Sequence, residues 1–197
     1  MAEVFTADEI ARLRQTEDRL RRNLLFVALL NQKLGCPSPA QRPIVVGGSA
    51  VEFYTTGGYA SADMDLVMLH PEDADRILDA SGFQRRGRYW SLPDTDLLVE
   101  FPGQTLTYAP GAYDRLTEVE LGDGLAATVI GIEDIVIGRL YAAISERRAN
   151  DRRWALEMAV LHHDRLDWAA VDTLASTNGI ADAARTLRAE AQAIAQP

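Results

Sequence analysis

The stretch IVVGGSAVEFYTTGGYASADMDLVM, Ile44 to Met68, decides how the rest of the chain is read. An apolar run, Ile44-Val45-Val46, leads into Gly47-Gly48-Ser49. After thirteen further residues Asp63 and Asp65 stand one residue apart inside a second apolar run. Side chains at i and i+2 of a strand point to one face, so Asp63 and Asp65 project together while Met64 and Leu66 turn toward a core. Two neighbouring carboxylates resist joint ionisation unless a cation or a shared proton intervenes. The pair asks for a metal ion. Upstream, a Gly-Gly-Ser turn closing onto a helix presents backbone N–H groups and the Ser49 hydroxyl at a helix N-terminus, a geometry that suits phosphate. Each feature alone has a plain structural explanation, a tight turn or an acidic strand end in water. Together, one strand–turn–helix–strand unit offers a seat for phosphate and a seat for its counter-cation.

Working outward, Thr6 to about Leu34 reads as one long helix, with Thr6 and Glu9 spaced as a capping box and an apolar stripe at Ile10, Leu13, Leu20, Leu24, Val27 and Leu34. Strands are expected at Ile44–Val46 and Asp63–Leu69, with a turn at Gly47-Gly48 and a short helix from Ser49 to about Tyr54. A helix opens at His70-Pro71 and ends at Gly82. Phe83–Leu92, broken by Arg85-Arg86-Gly87-Arg88, reads as a small hairpin, and Leu97–Phe101 as a strand antiparallel to it. Gly103 to Asp123 is expected to be an irregular crossover with a strand near Leu116–Leu121, followed by a strand over Leu125–Ile130. From Ile132 onward every segment has helical periodicity, with Asn178-Gly179 as a break. This succession predicts an α+β fold, a small mixed sheet flanked by helices. Residues 1–131 form the core with its N-terminal packing helix, and 132–197 a helical region packed on it.

The order apolar strand, Gly48-Ser49, spacer, Asp63-x-Asp65 resembles the signature of the DNA polymerase beta-type nucleotidyltransferase superfamily. The later segment GIEDIVIGRLYAAISERRANDRRWALEMAVL is similar to the region following the core in bacterial nucleotidyltransferase-like proteins of the abortive-infection and toxin–antitoxin group. The resemblance implies a third carboxylate on a neighbouring antiparallel strand in an apolar setting. Glu100 in LLVEF fits that description better than Asp96, which stands near a turn. It also implies a basic residue on the first helix after the core and an acid before the second, here Arg139 and Asp151. Arginine stands where several relatives carry lysine, and glutamate where aspartate is usual. The implied activity is Mg²⁺-dependent transfer of a nucleoside monophosphate from an NTP to a hydroxyl of RNA, a protein or a small molecule, with Mn²⁺ as a substitute ion. Asp63, Asp65 and Glu100 would bind metal and act in catalysis, and Gly47, Gly48, Ser49, Arg139 and Asp151 would bind the nucleotide. A toxin–antitoxin role with a partner protein belongs to this reading. The competing one is a catalytically inactive module on the same fold, serving as an antitoxin or nucleotide sensor.

Composition narrows the field. A net charge of -9 disfavours a broad sequence-independent grip on DNA. Lys33 is the only lysine among 20 basic residues, so phosphate recognition falls to arginine and a lysine Schiff base is nearly excluded. Cys36 stands alone, and Leu24–Leu30 is too short an apolar run to span a bilayer. No secretory leader pattern is expected, which makes cytoplasm the default compartment. Arg85, Arg86 and Arg88 beside Tyr89 and Trp90 could grip and stack an acceptor, although a solvated hairpin over a core aromatic is the simpler reading. Arg147, Arg148, Arg152 and Arg153 make the densest positive patch, suited to an RNA end, a partner protein or salt bridges with Glu146 and Glu157. His162-His163-Asp164 reads as a polar helix end, since adjacent helical side chains diverge by about a hundred degrees.

Overall fold

A computed structural model describes residues 3–36, 38–106 and 110–195. Part of the expected crossover, 107–109, lies outside these ranges. Two helices open the chain, Ala7–Gln15 (α1) and Arg19–Leu34 (α2), where periodicity predicts one. Side-chain chemistry breaks the run. The Thr16 hydroxyl donates back to the Arg12 carbonyl, and Asp18 caps the next helix by accepting a 2.7 Å bond from the Arg21 N–H. Short polar side chains compete for backbone hydrogen bonds and end helices in this way. The capping box of Thr6 and Glu9 forms as expected, and α2 stops at Gly35 in the left-handed conformation.

Ile44–Val45 (β1) runs into Gly47–Tyr54 (α3), so this helix starts at the glycine pair, where a turn was expected. Then come Met64–Val67 (β2), Pro71–Ala80 (α4), Gln84–Arg86 (β3), Tyr89–Ser91 (β4) and Leu98–Gly103 (β5). Thr117–Gly122 (β6) and Leu125–Val129 (β7) complete a seven-stranded sheet of order β3-β4-β5-β2-β1-β7-β6. It is mixed: β1 is antiparallel to β2 and parallel to β7. Strand β5 is antiparallel to β4 but parallel to β2, which corrects the expectation of an antiparallel neighbour for the aspartate strand. The physical reason is the connection. Helix α4 and the β3–β4 hairpin form a crossover long enough to return the chain in the same direction.

Helices Ile132–Ser145 (α5), Ala149–Leu161 (α6), Trp168–Thr177 (α7) and Ala181–Ala195 (α8) pack on one another, and α3 meets α5 and α6. Helix α2 lies against β7 and β6. The sheet is thereby flanked by helices, as the α+β reading expects. Among the described residues no helix is long and apolar enough to cross a membrane.

The start of α5 is fixed by charge. Arg115 grips Asp134 with both prongs, at 2.8 and 2.7 Å, and the Asp134 side chain is wholly buried. Gly131 permits the close approach, because a Cβ there would stand 2.6 Å from the Arg115 carbonyl oxygen. Removing one partner of a buried pair leaves the other charge unpaired in a poor solvent. Arg115→Ala should therefore destabilise the chain by about 3–5 kcal/mol, read from the midpoint of urea denaturation. A midpoint within error of wild type would show that this clamp does not hold α5.

Candidate active site

Strand register brings the acids together. Asp65 on β2 lies directly opposite Glu100 on β5, and Asp63 stands just ahead of β2. Met64 and Leu66, at 1% and 0% exposure, fill the core behind them. One oxygen from each of Asp63, Asp65 and Glu100 lies within 4.8 Å of the others, and all three residues are half-buried. No other group of three metal-binding side chains occurs among the described residues. Hard oxygen donors in this number suit a small divalent cation. The set can hold a metal ion.

The glycine pair is shaped around the same acids. Gly47 has φ +58°, and a Cβ there would meet Asp65 Oδ2 at 2.1 Å. A side chain on Gly48 would meet Ser61 Oγ at 2.3 Å. With both Cβ atoms missing, the start of α3 lies close against Asp65 and Ser61, and the Gly48 N–H favours the charged form of the Asp65 carboxylate. The Asp65 carboxyl is nevertheless pushed above the ordinary aspartate range. Burial contributes most, then the charges of Asp63 and Glu100; the Gly48 bond and Arg139 oppose them without cancelling the effect.

Ser49 is buried, and its hydroxyl donates to the Asp63 carbonyl at 2.9 Å. It steadies the backbone of one of the three acids from the neighbouring helix. Arg139 on α5 pairs with Asp151 Oδ1 at 3.0 Å, and Asp151 Oδ2 is buried with no partner among the described residues. Asp151 lies inside the first turn of α6, not ahead of the helix as expected. Arg139 lines two openings. One, of about 390 Å³, includes Gly47 and follows α5; the other, of about 430 Å³, includes Tyr59 and Asp151.

The remaining candidates sort themselves. Asp96 is exposed and pairs with Arg22, away from the triad. Trp90 is 3% exposed and donates its indole N–H to Asp75, so it is a core aromatic and offers no stacking face. Arg88, by contrast, reaches back over Tyr89 and places Nε 3.2 Å from Glu100 Oε2. Sequence reasoning placed it with a possible acceptor and missed this contact. The contact follows from the β4–β5 register, which sets Tyr89 opposite Glu100 and brings Arg88 alongside. In the arginine patch, Arg148 pairs with Glu146 as expected, while Arg152 pairs with Glu190 and not Glu157. His162 Nε2 meets the Tyr54 carbonyl at 2.7 Å, a structural contact at a helix end.

No family model matches the chain, and no curated protein does. Among solved structures, an antigenic nucleotidyltransferase-like protein from Paracoccidioides brasiliensis is similar at TM-score 0.54 and 18% identity. The match covers 87% of this chain and 94% of that one. At this identity the likeness speaks for architecture alone: the chain has a nucleotidyltransferase-like fold.

Proposed function

We propose that the chain is a nucleotidyltransferase that uses Mg²⁺, or Mn²⁺ in its place, to move a nucleoside monophosphate from an NTP to a hydroxyl acceptor. The observation that carries this reading is the convergence of Asp63, Asp65 and Glu100 within 4.8 Å beside the N-terminus of α3. Asp63, Asp65 and Glu100 would hold the cation. When bound, it neutralises charge on the triphosphate and on the leaving pyrophosphate. Glu100 takes the proton of the acceptor hydroxyl. The acceptor oxygen then bonds to the alpha phosphorus while the bond to the beta-phosphate oxygen breaks and pyrophosphate departs. The start of α3 at Gly47 and Gly48 offers the positive end of the helix to phosphate, Ser49 positions Asp63 through the Asp63 carbonyl, and Arg139, braced by Asp151, supplies positive charge. The acceptor would be RNA, a protein or a small molecule. A role in a toxin–antitoxin pair, with a partner protein, is the biological setting that the sequence resemblance suggests.

The direct test is calorimetry with each NTP and Mg²⁺ on wild type and on the Asp63→Ala/Asp65→Ala double variant. Wild type should bind in a metal-dependent way, and the variant should bind roughly a hundredfold more weakly or not at all. Equal binding by the two proteins would leave a non-catalytic module as the better reading.

Proton linkage gives a second measurement. Because the folded-state pKa of Asp65 is raised, the folded chain holds that proton to higher pH than the unfolded chain does. Asp65 is then neutral at no cost well below its unfolded value, and destabilises the metal-free fold as pH rises through its folded value. Asp65→Asn, which keeps the shape of the side chain without its charge, should raise the melting temperature at neutral pH, with the gain fading at acidic pH. Mg²⁺ at a hundred times its dissociation constant should add about 2.7 kcal/mol to wild type and little to this variant.

Arg88 yields a third. It occupies Glu100 as a cation would, so Arg88→Ala should tighten Mn²⁺ binding by about three- to fivefold at low salt. Weaker Mn²⁺ binding in that variant would mean that Arg88 supports the metal site and does not compete with it.

A further inference from the structure

Strand pairing fixes two of the three acids and does not reach the third. Asp65 and Glu100 face each other in the β2–β5 ladder, and the Val46 N–H holds the Asp65 carbonyl at 3.0 Å. Asp63 stands one residue ahead of β2, at the end of the loop that follows α3. Its place is set by other contacts, and they lead to a buried acid that the nucleotidyl-transfer chemistry does not use. Glu52 lies on α3 and is buried. Its Oε2 accepts from the Ser61 N–H at 3.3 Å and from Arg19 Nη2 at 3.1 Å. The same Arg19 nitrogen donates to the Ser61 carbonyl. The N–H and the C=O of Ser61 are thus both gripped, one by an acid of α3 and the other by a base of α2. Two residues on, the Asp63 carbonyl accepts from Ser49. Ser61 itself is buried, with Oγ against the start of α3.

Helix stability alone does not select this pair. A carboxyl group taken out of water needs a partner to offset the loss. Arg19 is the first residue of α2, where the helix dipole disfavours a cation. What the two side chains achieve together is a fixed peptide two residues before an acid of the triad. We propose that Glu52, held by Arg19, is a positioning residue for the metal site: it fixes Asp63 through the Ser61 peptide. The assignment rests on the reading of the triad as a metal site and adds a residue outside the triad to it. Asp65 and Glu100 stay in their ladder when the grip is lost, so the effect falls on Asp63. Removing a contact that orients a metal ligand lowers metal affinity by about 10- to 100-fold.

The test measures Mn²⁺ binding by calorimetry, and amide hydrogen exchange over 61–67, on wild type, Glu52→Ala, Glu52→Gln and Arg19→Ala. Glu52→Ala should bind Mn²⁺ roughly thirtyfold more weakly, the middle of that range. Its amides at 61–63 should exchange faster while those at 65–67 stay as protected as in wild type. Glu52→Gln keeps an oxygen for the Ser61 N–H and should bind Mn²⁺ within about threefold of wild type. Arg19→Ala, at a partly exposed side chain, should lose affinity in the same direction, and it decides the matter where Glu52→Ala does not fold. Unchanged Mn²⁺ affinity in the folded alanine variants overturns the positioning role alone. So does an equal loss in Glu52→Gln and Glu52→Ala, or faster exchange spread evenly over 61–67, since either marks general loosening. Absence of Mn²⁺ binding by wild type overturns the metal-site reading and this assignment with it.

Discussion

Mutual repulsion among Asp63, Asp65 and Glu100 is the constraint that the rest of the structure is arranged to bear. Their oxygens lie within 4.8 Å of one another on half-buried side chains. Like charges at that spacing in a medium less polarisable than water cost far more than at a surface. Such a group survives only if the backbone holding it is rigid and something offsets the field. Rigidity comes from the central position of β2, paired with β1 on one side and β5 on the other. Apolar burial of Met64, Leu66 and Val99 fixes the side-chain faces, because a one-residue slip would invert all of them.

Three different sources offset the charge. The Gly48 N–H and the start of α3 act on Asp65, Arg88 on Glu100, and Arg139 on the site from α5. They are not equivalent. The amide belongs to the packed backbone and cannot leave. Arg88 hangs from a hairpin turn with two-thirds of its side chain exposed, so it can be displaced without unfolding anything. Arg139 is braced by Asp151, and α5 itself is locked at its beginning by Arg115 and Asp134. The fixed charges thus sit on the side toward α3 and α5, where the proposed donor lies. The movable one sits on the side of the β3–β4 hairpin.

Much of this was legible in the sequence because it depends on local spacing. The interval from Asp63 to Asp65 and the glycine pair are period-two and helix-terminus signals; they led to β2 and α3, although α3 begins at the pair itself and not at Ser49. Glu100 was found through its apolar flanks in LLVEF, which mark a strand regardless of its neighbours. What was lost required pairing information. The parallel direction of β5 against β2, and the reach of Arg88 to Glu100, follow from a crossover and a register that no short pattern encodes. The break at Thr16–Asp18 was missed for a different reason. The apolar stripe continues through it, and only the capping chemistry of Thr16 and Asp18 separates the helices.

Missing side chains explain the shape of the site as fully as present ones do. Gly47 and Gly48 bring α3 so close to β2 that a Cβ on either would strike Asp65 or Ser61. Gly138 does the opposite, since its neighbourhood is open. Two glycines therefore close a gap, and one keeps a gap from filling. A helix interior selected only for stability would carry alanine at 138, where the space admits it and the propensity favours it. Glycine at 138 leaves the cavity beside Arg139 open along α5 as far as Gly47. The flank toward α3 and α5 is consequently defined by rigid backbone and fixed volume. The opposite flank of the triad is guarded by an exposed hairpin arginine, so one side of the site is fixed by backbone and the other by a side chain free to leave.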